Sequence, residues 1–149
     1  DLSQAGHTIC VATNQSGIAR KLFDIPTLDD MHKKLLNAVT AAGGKISGVF
    51  YCPHGPDDSC DCRKPKAGLI EQIFSALNIS ENERGSAVIV GDSIRDLQAG
   101  LSKNLKPVLV RTGKGKKSEL ALTDHLELQH TETFNNLLDF STKFLGATS

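Results

Sequence analysis

With 149 residues, 39% of them apolar and 23% charged, the chain has the length and balance of one ordinary globular domain with a sizeable core. Lysine plus arginine and aspartate plus glutamate both total 17, a formal net charge of zero, which excludes the basic excess of a nucleic-acid or anionic-membrane surface. No apolar run nears the roughly 20 residues of a membrane span, and the start, DLSQAGHT, has neither the basic flank nor the apolar core of a signal peptide. A soluble protein is expected, with no internal repeat, linker or low-complexity segment.

Residues 8–13 (TICVAT) are apolar and β-branched, and predict a buried strand of the parallel kind. The strand runs into Thr13, Asn14, Gln15, Ser16 and Gly17, polar or small residues at the edge where open α/β sheets bind ligands. Residues 29–42 predict an amphipathic helix, with Met31, Leu35, Ala38 and Ala42 at helical spacing and Gly43-Gly44 as its stop. A second short strand, 49–51, feeds the stretch CPHGPDDSCDCRKP at 52–65. Here Cys52, His54, Cys60 and Cys62 fall within eleven positions, the ligand set of a tetrahedral zinc site. Gly55 and Pro56 open the intervening turn and Asp57-Asp58-Ser59 complete it. Four protein ligands leave no position for water, so the zinc is expected to be structural. Three zinc thiolates, with Cys10 as a buried free thiol, point to a reducing compartment.

Beyond Pro65, residues 69–77 predict a helix with Leu69, Ile70, Ile73, Phe74 and Leu77 on one face, and 87–90 a third buried strand broken by Gly91-Asp92. Residues 94–101 predict a helix and 107–110 a fourth strand, ending at Arg111-Thr112-Gly113. The Lys/Gly-rich run 113–117, with Lys114, Lys116 and Lys117, reads as a mobile surface loop, and 125–128 as a last short strand. A closing helix is expected over 132–144, with Phe134, Leu137, Leu138 and Phe144 inward. Alternating strands and helices define an α/β fold, a doubly wound, mostly parallel sheet forming a single domain. Crossovers of the usual hand would bring Thr13–Gly17, Arg63-Lys64 and 91–96 to one rim. A hydroxyl, a cation pair and a carboxylate there suit a phosphate held with a divalent metal. Lys64 and Arg63 can neutralise phosphoryl oxygens, Arg63 in bidentate fashion, and Asp92 is a hard oxygen ligand of the type magnesium takes. Arg111 either reaches the substrate or serves the surface, and His7, His32, His125 and His130 show no paired ligand spacing.

These clusters, in this order, resemble motifs II, III and IV of the haloacid dehalogenase-like phosphohydrolases. TNQSGIAR at 13–20, CPH at 52–54, CDCRKP at 60–65 and GDSIRD at 91–96 resemble the D-glycero-D-manno-heptose-1,7-bisphosphate 7-phosphatases. The resemblance implies that Thr13 donates its hydroxyl to the transferring phosphoryl group, with Asn14, Gln15 and Ser16 lining the substrate site. It implies that Lys64 stabilises phosphoryl charge, Arg63 helps recognise substrate, and Asp92 binds magnesium directly. Asp96 would orient that site or Lys64 from behind, and Cys52, His54, Cys60 and Cys62 would hold zinc in place of a large cap domain. The implied activity is hydrolysis of the 7-phosphate of the heptose bisphosphate, in nucleotide-heptose and lipopolysaccharide synthesis, by a monomer in a bacterial cytoplasm. Histidinol-phosphate phosphatase, which shares the zinc loop, is the alternative within the class.

One departure bears on all of this. In the family the nucleophile and general acid are two aspartates of an N-terminal DxDGT motif, and this chain has no such motif. DLSQAGHTICVAT matches the end of the helix before motif II, so roughly the first 40 residues of a family member would be absent. The nucleophile would go with them, and so would two of three magnesium carboxylates. The absent strand is central in the superfamily, and losing it would expose two strand edges. The expectation is an incomplete enzyme chain without turnover of its own, or a zinc-stabilised sugar-phosphate-binding module.

Overall fold

A computed structural model describes residues 1–147. The chain divides into two compact units, Asp1–Arg63 and Lys64–Ser149.

In the first unit, strand β1 (Cys10–Asn14) and strand β2 (Gly48–Cys52) form a parallel ladder, in register from Cys10 opposite Gly48 to Asn14 opposite Cys52. Helix α1 (Ile25–Ala41) joins them and starts four residues earlier than the apolar spacing predicts. Its start is set by Asp24, whose carboxylate accepts the Thr27 N–H at 2.9 Å, and by Pro26 in the first turn. Its buried side is also not the expected one. Met31, Leu35, Ala38 and Ala42 are exposed, while Leu28 is buried and His32, Leu36 and Val39 are half-buried. The His32 ring lies 5.5 Å from that of Tyr51 on β2. Both stripes recur at helical spacing, and periodicity alone does not say which of them meets the sheet.

In the second unit the sheet order is β3-β4-β5, parallel throughout: β3 (Val88–Gly91), β4 (Lys106–Val110) and β5 (Glu132–Phe134). Helices α2 (Gly68–Ala76), α3 (Glu81–Arg84) and α4 (Ile94–Leu101) precede β4, and α5 (Gly115–Ala121) and α6 (Leu137–Ala147) follow it. The short α3 was not expected, yet Ser80 and Glu83 spell its capping box, with Ser80 N–H donating to Glu83 Oε2 at 2.9 Å. One core cluster joins Ile70, Phe74, Ala99 and Leu105, and another joins Leu97, Leu109 and Leu128. Gly100 lets α4 lie close on β3, since a Cβ there would overlap the Ile89 side chain. The central strand β4 buries Val108, Leu109 and Val110, whereas every residue of β1 and β3 is only half-buried. The expectation of fully buried strands at 8–13 and 87–90 is corrected accordingly, and Cys10 is a half-buried free thiol. Each of these strands ends its sheet, so one side of it lacks the cover that a central strand has.

The last third departs most from expectation. Residues 113–117 are not a mobile loop but lead into α5, and 125–128 hold a 3-10 turn (Leu126–Leu128) in place of a strand. Residues 132–134 form β5, and the closing helix begins only at Leu137, where Asn136 Oδ1 accepts the Asp139 N–H at 2.8 Å. Phe134 and Phe140 are buried with ring centroids 5.5 Å apart, but Leu137 and Leu138 are exposed. No described helix is long and apolar enough to cross a membrane.

Leu109 is fully buried between Leu97 and Leu128. Leu109→Ala should therefore lower unfolding free energy by about 2–5 kcal/mol, read as a lower urea midpoint at unchanged slope.

Candidate functional site

In the first unit the polar edge is built at the C-terminal ends of β1 and β2. Thr13 and Asn14 close β1 opposite Tyr51 and Cys52. Beyond them the chain turns, with Gln15 N–H donating to Cys52 O at 2.7 Å and Ala19 N–H to Pro53 O at 3.2 Å. Gly17 is required in that turn because a Cβ would overlap the Phe23 ring. The Gln15 side-chain amide donates to Thr13 Oγ1 at 3.2 Å, so the hydroxyl oxygen is used as acceptor and its own proton is left to donate elsewhere.

The cysteine loop leaves β2 directly. Asp58 folds it back, its carboxylate accepting the Gly55 N–H at 2.7 Å and its carbonyl the Cys60 N–H at 2.9 Å. Cys52 Sγ lies 3.8 Å from Cys60 Sγ and 3.6 Å from His54 Nδ1, which is 3.3 Å from Cys62 Sγ. All four ligand atoms lie within 4.8 Å of one another. A tetrahedral zinc with bonds of about 2.3 Å to sulfur and 2.0–2.1 Å to nitrogen needs edges of about 3.8 Å and 3.6 Å, so the donor set fits that ion. Burial, followed by the Cys52 and Cys60 side chains, pushes the Cys62 thiol up to about 12. Burial also acts to raise Cys60, but bonds from the Arg63 backbone and from Cys52 and Cys62 bring it below the ordinary thiol value. Three thiolates this close repel, and a bound divalent cation relieves that repulsion. Arg63, half-buried, donates from Nη1 to His54 O at 3.2 Å.

In the second unit Lys64 Nζ meets Asp96 Oδ1 at 2.6 Å, with side chains only 12% and 13% exposed. The other carboxylate oxygen, Oδ2, accepts from Ser93 Oγ at 2.7 Å and from Ser93 N–H at 3.2 Å, the capping box that opens α4. Of the two partners open to Asp96 from sequence, the metal residue or Lys64, the contact is with Lys64. Gly91 must lack a Cβ because one would overlap Asp96. Asp92, between β3 and α4, is held by residues that local sequence did not single out. Lys114 N–H donates to Asp92 Oδ2 at 2.9 Å and Ser118 Oγ to Asp92 O at 2.8 Å. Arg111 is engaged structurally. Its Nε and Nη2 donate to both Glu119 oxygens at 2.8 and 2.7 Å, and Nη1 donates to Asn135 Oδ1 at 2.9 Å. That pairing holds the Glu119 carboxyl below the usual range.

Thr13 through Ser16, the four metal-type ligands and Arg63 thus belong to the first unit, and Lys64, Asp92 and Asp96 to the second. A HAD-hydrolase-like family model matches residues 61–140, more than half of the chain, which sets the class as haloacid dehalogenase-like hydrolases. The D-glycero-beta-D-manno-heptose-1,7-bisphosphate 7-phosphatase of Neisseria meningitidis serogroup B is 51% identical over 140 residues, covering 94% of this chain and 73% of that protein. The protein of the same name from Pseudomonas aeruginosa is 50% identical over 117 residues, covering 78% of this chain and 64% of that protein. Among solved structures, the D,D-heptose 1,7-bisphosphate phosphatase of B. bronchiseptica, complexed with magnesium and phosphate, superposes with a TM-score of 0.87 at 39% identity. That likeness covers 98% of this chain and 78% of the other. Within those hydrolases, the chain belongs to the family of heptose-1,7-bisphosphate 7-phosphatases.

Two measurements test this geometry. Asp96→Ala removes the carboxylate that meets Lys64 and the Asp96 half of the capping box of α4, and should cost about 3 kcal/mol or more of stability, measured by denaturant titration. Freshly purified protein should carry one zinc per chain by elemental analysis, and a strong chelator should remove it with a fall in melting temperature; a ratio far below one would count against the clip.

Proposed function

We propose that this chain carries the substrate-holding and charge-stabilising part of a magnesium-dependent phosphatase that removes the 7-phosphate of D-glycero-D-manno-heptose 1,7-bisphosphate. The observation that carries the proposal is an identity of 51% spread over 94% of the chain to a protein named for that reaction.

Each residue has a definite task in this reading. The Thr13 hydroxyl, its oxygen already accepting from Gln15, donates its proton to a phosphoryl oxygen. Asn14, Gln15 and Ser16 line the sugar. The Arg63 guanidinium, anchored to the His54 carbonyl, recognises the substrate, and Lys64 places a fixed positive charge beside the transferring group. Asp96 holds that ammonium in place, and Asp92 offers a carboxylate to magnesium. Magnesium, when bound, supplies neutralisation of phosphoryl charge. Cys52, His54, Cys60 and Cys62 would hold zinc with no position left over, which makes that metal structural. Thiolate ligands of this kind suit a reducing cytoplasm, and the partner is a small sugar phosphate bound by a monomer.

The 149 residues contain no Asp-x-Asp pair, so no carboxylate of the family's first motif is present to form an aspartyl-phosphate. By themselves they are expected to bind sugar phosphate without turning it over. The test is hydrolysis of heptose 1,7-bisphosphate and of histidinol phosphate, with magnesium, by a chain carrying the first motif. The heptose bisphosphate should be preferred, and Lys64→Met should lower kcat/KM about 100-fold or more. Preference for histidinol phosphate would overturn the substrate, and turnover by the 149 residues alone would overturn the assignment of the nucleophile.

A further inference from the structure

Asp92 occupies the turn between β3 and α4, and its neighbours grip it at both the backbone and the side chain. The Ser118 hydroxyl, 92% covered on the residue, donates to the Asp92 carbonyl at 2.8 Å, which fixes the peptide that leaves β3. The Lys114 N–H donates to Oδ2 at 2.9 Å, which fixes the rotation of the carboxylate. Gly113 stands against the same oxygen with φ +57°, and any Cβ there would overlap Oδ2. Gly115 completes the arrangement, since a Cβ on it would overlap the Val110 carbonyl at the end of β4. The turn from Gly113 to Gly115 can therefore approach only with glycine at both ends. No other hydrogen bond to the Asp92 carboxylate is found among the described residues, so one oxygen is committed to protein and Oδ1 is left for a ligand.

We infer that Gly113, the Lys114 amide and Ser118 are positioning residues that set the orientation in which Asp92 presents Oδ1 to a divalent cation. The inference rests on the reading of Asp92 as a metal-binding carboxylate. An amide bond to Oδ2 draws electron density from that oxygen and blocks the carboxylate from rotating into bidentate binding. It therefore favours the monodentate mode suited to a small octahedral ion such as magnesium. Partners of this kind behind a ligating carboxylate typically govern metal affinity by about 10–100-fold.

Mn2+ binding to a chain carrying the first motif, followed by electron paramagnetic resonance, tests the inference without any assay of turnover. Asp92→Asn should weaken Mn2+ binding about 10-fold or more, and Ser118→Ala and Gly113→Ala should each weaken it about 10-fold. Melting temperature without metal is read alongside. A merely structural role would lower melting with the affinity unmoved, and that result overturns the inference. Should one of the two variants fail to fold, the other decides. Mn2+ affinity within twofold of the unaltered protein for Ser118→Ala and Gly113→Ala, while Asp92→Asn is weak, sinks the positioning role alone. An unaltered affinity in Asp92→Asn sinks the metal role of Asp92, and this inference with it.

Discussion

Three sulfurs and one imidazole nitrogen within 4.8 Å of one another are the constraint about which residues 1–63 are arranged. The sulfurs repel when all are ionised, and a cation at the centre of the arrangement removes that repulsion. With it in place, the end of β2 and the loop beyond become a fixed frame. Three successive carbonyls of that frame then do the positioning: Cys52 O takes the Gln15 amide, Pro53 O the Ala19 amide, and His54 O the Arg63 guanidinium. The polar end of β1 and the arginine are thus held by one short run of backbone, whose own ends are metal ligands. A metal with no open coordination position can in this way fix polar side chains that it does not itself touch.

The second unit achieves rigidity with carboxylates instead. Asp96 divides its two oxygens between Lys64 and the cap of α4, so the start of the helix and the position of the ammonium are set together. Covering that pair to 12–13% exposure raises the electrostatic stakes on both sides. An unpaired lysine there would be costly, and so would a cation displaced from it. Arg111, by contrast, spends its whole fork on Glu119 and Asn135, joining the end of β4 to α5 and to the turn after β5. Two cations that look equivalent along the chain have therefore been given different work by their neighbours.

What could be read from sequence follows the range of the interactions involved. The metal clip was legible because its ligands are close along the chain and chemically unusual, and α4 because it follows directly on the Gly91-Asp92 break after the apolar run 87–90. The face of α1 was not, because two stripes share one helix and only tertiary packing, which buries Leu28 and sets the His32 ring 5.5 Å from Tyr51, selects between them. Residues 113–117 look like a loop by composition. Their glycines are there to clear the Val110 carbonyl and the Asp92 carboxylate, which is tertiary information. The bond from Ser118 to Asp92 spans 26 positions and leaves no local pattern. Residues 132–134 read as the start of a helix because Thr133 and Phe134 suit a helix nearly as readily as a strand, and pairing with Leu109 and Val110 of β4 decides it.

The compactness of the metal clip in sequence has a consequence for the order in which the chain acquires structure. Its ligands span only residues 52–62, whereas the β1–β2 ladder must bring Cys10–Asn14 to Gly48–Cys52. Closing the short segment costs less chain entropy than closing the long one, so a nascent chain can capture its ion before either strand has a partner. The clip then acts as a ready-made corner onto which β1 docks through Gln15 and Ala19. A site that forms so early also has some affinity in the unfolded chain, and that share of the affinity is subtracted from what the ion adds to the stability of the folded one. Grip on the ion and resistance to unfolding are therefore separate properties of this protein, and the first can be high while the second stays modest.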